Sequence, residues 1–173
     1  ITGQATRDTH FHSIPAFSPA DIRNMTPLVQ RLADKHALVT GAGSGIGRSI
    51  AVRLAAEGAA VTILEFRAEA GEQTATQIRE AGGTARVIAA DVSNTESMRV
   101  AFDQIEKLDI LVNNAGIAHV GNVLTTTAAD VDRVYGVNVK GVYHGLHFGV
   151  PKMLRAGRGA IVNIASTVSK IAI

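Results

Sequence analysis

Apolar residues along this chain alternate between two rhythms. Short, mostly apolar runs occupy residues 37–39, 60–64, 86–90, 109–112 and 160–165, the length and make-up of buried strands. Between them the apolar positions take helical spacing. In 45–57, Ile46, Ile50 and Leu54 share one face and Gly58 supplies the stop. Further helices are predicted over 67–80, closed by Gly82 and Gly83, over 95–107, and over a long stretch from 128 to 155. Strands without a polar face must be covered on both sides, which calls for a parallel sheet between helical layers. Right-handed crossovers complete the expectation of an α/β, doubly wound, Rossmann-like domain.

The ends do not share this rhythm. Residues 2–31 carry little periodicity and contain Pro15, Pro19 and Pro27, without the charged-then-apolar pattern of a signal peptide. They are expected to form an extension or arm, leaving 32–173 as the domain. The other end, Ile173, falls inside an apolar stretch. The domain is therefore expected to be incomplete at its C-terminus, truncated after the fifth strand of a longer polypeptide.

Composition narrows the classes. With 46% hydrophobic and 18% charged residues over 173 positions, the chain is globular rather than disordered. No cysteine is present, which removes disulfides, thiolate metal sites and a cysteine nucleophile and fits a cytoplasmic setting. A net charge of +2 and 4% aromatics argue against a nucleic-acid surface. No apolar run approaches the roughly 18 residues of a membrane span.

The sharpest motif is Thr40-Gly41-Ala42-Gly43-Ser44-Gly45-Ile46-Gly47, between a predicted strand and a predicted helix. Gly41 allows a tight turn, the later glycines admit a pyrophosphate close to the backbone, and the helix N-terminal amides face the anion. No Gly-Lys-Ser/Thr follows, so a Walker-type loop is ruled out. Glu65 ends the second strand, near the roughly 20-residue offset at which an acid meets the adenosine ribose. A carboxylate there accepts from a 2′-hydroxyl and repels a 2′-phosphate. NAD is favoured, with NADP the alternative because Arg67 stands nearby and could meet a phosphate.

These residues resemble the short-chain dehydrogenase/reductase family over about 32–173. The glycine loop has that family's Thr-Gly-x-x-x-Gly-x-Gly form. Asp91-Val92 follows the third strand, where the family places an Asp near adenine. Asn113-Asn114-Ala115-Gly116 matches its Asn-Asn-Ala-Gly turn beside the cofactor, Asn138 its catalytic-site Asn, and Ser166 its catalytic Ser. The resemblance implies hydride transfer between nicotinamide C4 and the carbon of an alcohol or ketone, with Ser orienting the substrate oxygen and Asn holding a relay water. It implies cofactor contacts from Gly41, Gly43, Ser44, Gly45, Ile46, Gly47, Glu65, Asp91, Val92, Asn114, Ala115 and Gly116. It also implies strand order 3-2-1-4-5, and a homo-oligomer, dimer or tetramer, paired through the long helices.

The family's general acid/base is a Tyr whose pKa a neighbouring Lys lowers, since a phenol near pKa 10 needs a cation to work near neutrality. That Tyr-x-x-x-Lys falls further along than Ile173. Tyr135 and Tyr143 have the wrong spacing to replace it and are expected to be packing residues. The 173 residues alone are therefore expected to be inactive by this route. The fifth strand is expected to leave an open edge. An alternative reading is a non-catalytic dinucleotide-binding or interaction module.

Weaker candidates complete the survey. His10 and His12 have a His-x-His spacing without distant ligands, so no metal site is assigned. His144 and His147 are expected to be an exposed or subunit-facing pair, Lys140 and Lys152 solvated charges, and His119 a pocket-lining residue.

Overall fold

Each apolar run becomes a strand of one parallel sheet. The computed structural model describes residues 30–166, so His10 and His12 lie outside the described residues. Strands β1 (His36–Thr40), β2 (Ala60–Glu65), β3 (Thr84–Ala89), β4 (Ile110–Asn113) and β5 (Ala160–Asn163) stand in the order β3-β2-β1-β4-β5. Every pairing is parallel, and β1 sits at the centre with Val39 opposite Ile63 on one side and Val112 on the other. Helices α1 (Gly45–Ala56), α2 (Ala68–Glu80) and α3 (Thr95–Asp103) supply the first crossovers. The last crossover comprises α4 (Ala128–Tyr135) and α5 (Gly141–Ala156), joined by a π turn at Gly136–Lys140.

Alternation along the strands divides the core in two. Val39, Val61 and Ile63 point to one face and pack with Ala51, Ala55, Ala75 and Ile78 of α1 and α2. Leu38, Leu64, Ile88 and Leu111 point to the other and meet Met98, Phe102 and Met153. Each large apolar side chain buried in this way contributes about 1.5–3 kcal/mol. β5 stands at the sheet edge and is different: all four of its residues are exposed, Ile161 by 38% and Val162 by 48%.

Two helices depart from their sequence pattern. The helix expected over 95–107 ends at Asp103, because the chain turns after Gln104 to drop Ile105 and Leu108 into the core at 2% exposure each. The long helix expected over 128–155 is interrupted by the π turn, which inserts extra backbone between two α segments. It ends at Gly157, whose φ of +66° is the left-handed stop that glycine adopts freely.

Charged groups fasten the edge opposite the strand carboxyl ends. Asp109 accepts from the His36 amide at 2.9 Å and Arg158 Nε at 3.0 Å, with Lys107 Nζ at 3.6 Å. Burial pushes its carboxyl up, but the His36 amide and the two cations together hold it below its ordinary value. Glu57, following α1, is gripped by Arg31 at 2.8 and 2.5 Å and by Arg53 at 3.0 and 2.6 Å. Arg31 lies within the segment expected to be an arm, yet this pair and the Leu32 amide on the Glu57 carbonyl tie it to the domain.

The hydrogen bonds from Arg31, then Arg53, lower the Glu57 carboxyl from 4.5 to about 2. Its depressed folded value means that the ion pair stabilises fully above the unfolded value of 4.5 and is lost as pH falls towards 2. Thermal melts across that window should show a smaller acid-side decline for Glu57→Gln than for the wild type, with the variant already less stable at neutral pH.

Candidate functional site

The parallel pairing of β1 with β2 on one side and β4 on the other sends the following loops in opposite directions. A crevice opens at the strand carboxyl ends where the order reverses, the place at which such sheets take ligands. Here it is a cleft of about 950 Å³. Gly41, Ser44, Gly45, Ile46 and Gly47 form its floor, Glu65, Asp91 and Val92 one end, and Asn114, Ala115 and Gly116 another wall.

Close approach explains the glycines. Gly41 has φ +63°, and a Cβ there would lie 2.8 Å from the Ala115 Cα. A Cβ on Gly47 would run into the Gly41 carbonyl and the Asn114 side-chain amide. At the N-terminus of α1, Ser44 makes no side-chain cap bond and no acidic residue occupies the first turn. Helix-end amides without a side-chain cap, bordered by glycine, suit an anion such as a pyrophosphate.

Thr40 ties the two sides of the crevice together. Its hydroxyl accepts from the Asn114 and Ala115 amides, both at 2.9 Å, while the Asn114 side-chain amide donates to the Thr40 and Gly41 carbonyls at 2.9 and 3.2 Å. The glycine loop is held on its far side. Gly43 donates its N–H to Glu65 Oε2 at 2.9 Å, and Arg48 donates to the Gly43 carbonyl while also reaching Thr74. Gly43 is therefore buried behind the cleft wall instead of lining it, and its part is to carry the Glu65 carboxylate. The other Glu65 oxygen takes the Arg67 amide at 3.3 Å. Asp91 folds back on itself, its Oδ1 accepting from the Ser93 N–H at 2.8 Å and Oγ at 2.7 Å.

Asn138 lies on the π turn. Its Oδ1 accepts from the Ile117 N–H and its Nδ2 donates to the Ile117 carbonyl, both at 2.9 Å. Widening the helix at this point aims one amide at the full polar complement of one peptide residue on the β4–α4 segment. Asn138 thus braces the cleft wall at Ile117 and is not itself among the lining residues. Ser166 stands just beyond β5, exposed and likewise outside the lining.

Several expectations are corrected. His119 does not line the cleft: its Nε2 is 3.2 Å from Thr126 Oγ1 and its Nδ1 3.5 Å from Asp130, so local bonding turns it into the β4–α4 loop. Tyr135 and Tyr143 do not pack inside but are 51% and 59% exposed. His144 is not exposed like His147. It is 4% exposed, because its ring turns to the segment after β3 and meets the Val92 carbonyl and the Thr95 hydroxyl. The sequence reading missed Phe66, Ile117, Asp132, Arg133 and Val137, which also line the cleft. Only Phe66, an apolar residue next to Glu65 at a strand end, carried a signal. The rest come from the fold bringing the β4–α4 segment, α4 and the π turn over the crevice.

Among the described residues, no group of three or more His, Asp or Glu could hold a metal, and no helix is long and apolar enough to cross a membrane.

Known proteins agree with this architecture. The family model described as short chain dehydrogenase matches residues 35–173. An uncharacterized oxidoreductase of Thermotoga maritima is 40% identical over 141 residues, covering 80% of this chain and 56% of the relative. The chain thus spans little more than half the length of such a relative. A 7 alpha-hydroxysteroid dehydrogenase solved with NADH and 7-oxo glycochenodeoxycholic acid superposes with TM-score 0.79 at 32% identity, over 83% of this chain and 58% of that one. A metagenomic short-chain oxidoreductase solved with NADP also gives 0.79, at 34% identity, over 83% and 67%.

Because the Thr40 hydroxyl accepts two half-buried amides, Thr40→Val should lower unfolding stability by about 1–3 kcal/mol, a part of the cost of leaving two buried donors unpaired. Thr40→Ser should recover most of it in the same chemical denaturation series.

Proposed function

This chain belongs to the short-chain dehydrogenase family, and on that premise we propose that it forms the cofactor-binding part of an NAD-dependent oxidoreductase acting on an alcohol or ketone. The observation that carries the reading is the cleft: glycine-edged helix amides at its floor and the Glu65 carboxylate at its end. A nicotinamide dinucleotide supplies the acceptor or donor of the hydride when bound. The residues of this chain bind and orient. The N-terminal amides of α1, with Gly41, Ser44, Gly45, Ile46 and Gly47, take the pyrophosphate. Asp91 and Val92 border the adenine, and Asn114, Ala115 and Gly116 follow the dinucleotide towards its reactive end. Ser166 orients the substrate oxygen, and Asn138, braced on Ile117, holds a relay water.

Glu65 favours NAD over NADP. Each of its oxygens already accepts one backbone N–H and keeps a lone pair for a ribose hydroxyl. A 2′-phosphate would instead meet a like charge. Arg67 borders the same end and is the feature that favours NADP as the second reading.

The same proposal includes a homo-oligomer and cytoplasmic residence. Val131, Tyr135, Val139 and Tyr143 recur every fourth residue along α4, the π turn and α5, each 48–59% exposed. Four residues advance an α-helix by roughly 40° beyond a full turn, so the π turn helps to keep the stripe on one side. A contiguous apolar stripe of this kind marks a protein–protein surface.

Titration of the full chain with NADH and with NADPH tests the cofactor assignment. Glu65→Ala should weaken NADH about tenfold and shift preference towards NADPH, as expected for one lost charge-assisted hydrogen bond. Glu65→Gln keeps an acceptor for Gly43 and should relax discrimination with less loss of affinity. Unchanged discrimination in both variants would remove Glu65 from the ribose site. Light scattering tests the stripe: Val139→Asp should convert an oligomer to monomer while circular dichroism shows the secondary structure kept.

A further inference from the structure

The buried histidine of α5 has no part in the reading above, yet it touches the segment that walls one end of the cleft. His144 Nδ1 lies 2.8 Å from the Val92 carbonyl and Nε2 lies 3.0 Å from Thr95 Oγ1. A carbonyl only accepts, so Nδ1 carries the hydrogen, Nε2 is the acceptor and the Thr95 hydroxyl donates. Both ring nitrogens are satisfied by one neutral tautomer. The segment they hold, 91–95, bonds otherwise to itself and to the first turn of α3: Asp91 takes both polar hydrogens of Ser93 and donates its N–H to Ser97 Oγ, and Asn94 caps α3 by accepting from the Ser97 amide.

The helix is shaped to receive this segment. A Cβ on Gly141 would lie 2.9 Å from Val92 Cγ2, and one on Gly136 would lie 3.3 Å from Ser93 Cβ. Close approach at two glycines brings the Val92 carbonyl to the ring. An apolar side chain at position 144 would suit the neighbouring Phe148 and Phe102, yet would leave that carbonyl unpaired in the interior.

We propose that His144 is a positioning residue for the adenine end of the cleft, holding the Val92 carbonyl so that Asp91 and Val92 face the ligand in a fixed geometry. The proposal rests on the dinucleotide reading above. It predicts that the bond from the Nδ1 position matters and the bond from the Nε2 position matters little.

Asn and Gln separate the two, since the Asn side-chain amide nitrogen takes the place of Nδ1 and that of Gln the place of Nε2. Calorimetric titration of the full chain with ADP-ribose, which carries the adenine half without the nicotinamide, reads the effect. His144→Gln and His144→Leu should each bind about tenfold more weakly, the scale of one unpaired buried carbonyl. His144→Asn and Thr95→Val should stay within about threefold of the wild type. A general loosening of the fold would instead order the affinities by melting temperature, whichever nitrogen was kept. The positioning role is overturned if His144→Gln binds as the wild type does, or if His144→Asn is as weak as His144→Gln. Should His144→Leu fail to fold, the Asn and Gln pair still decides. If the wild type binds no ADP-ribose, the dinucleotide reading falls and this proposal with it. Wild-type binding with four unaltered variants overturns this proposal alone.

Discussion

One hydroxyl governs the geometry of the crevice. Thr40 ends the central strand, and its side chain accepts the two amides that begin the loop after β4. The strand to its other side continues into Glu65, which holds the glycine loop by Gly43. The three carboxyl ends that make the cleft are thus tied to one another through side chains, beyond the strand ladders. A parallel sheet needs such ties, because its hydrogen bonds stop where the strands diverge and the next backbone groups must find other partners.

The same economy of polar contacts recurs around the helix that closes the cleft. Asn138 satisfies one residue of the β4–α4 segment, and Gly136 and Gly141 admit the turn after β3. A regular α-helix presents one face per 3.6 residues. The π turn changes that phase once, so the same helix can face Ile117 with Asn138 and still direct Gly145 and Gly149 to β4, where a Cβ at 145 would strike the Asn113 amide. Wide turns of this kind inside α-helices recur at functional sites.

Much of this was legible in the residues. The doubly covered parallel sheet follows from the apolar runs, because continuous apolarity calls for cover on both sides, while the strand order is what the family resemblance implies. Cleft contacts were legible where the chemistry is local: Gly41 and Gly47 by their spacing, Glu65 by its place at a strand end. What escaped depended on the third dimension. Gly43 has the same composition signal as its neighbours, and only the path of Arg48 and Glu65 puts it behind the wall. His144 and His147 look alike in sequence, and the approach of the segment after β3 to α5 decides which is buried. The π turn leaves no trace in a hydrophobic pattern, since one widened turn shifts the periodicity by less than one residue.

The Gly43 peptide, fastened at its N–H by Glu65 and at its carbonyl by Arg48, also says where the entropy of the loop is surrendered. Ordering a flexible residue costs about 1–2 kcal/mol. Here that ordering belongs to folding, so an arriving ligand meets a finished cradle and spends little of its interaction energy on arranging it. A ligand that binds only the folded chain then adds resistance to unfolding, in proportion to the logarithm of its concentration over Kd. Folding and recognition at this loop are one equilibrium viewed from two ends.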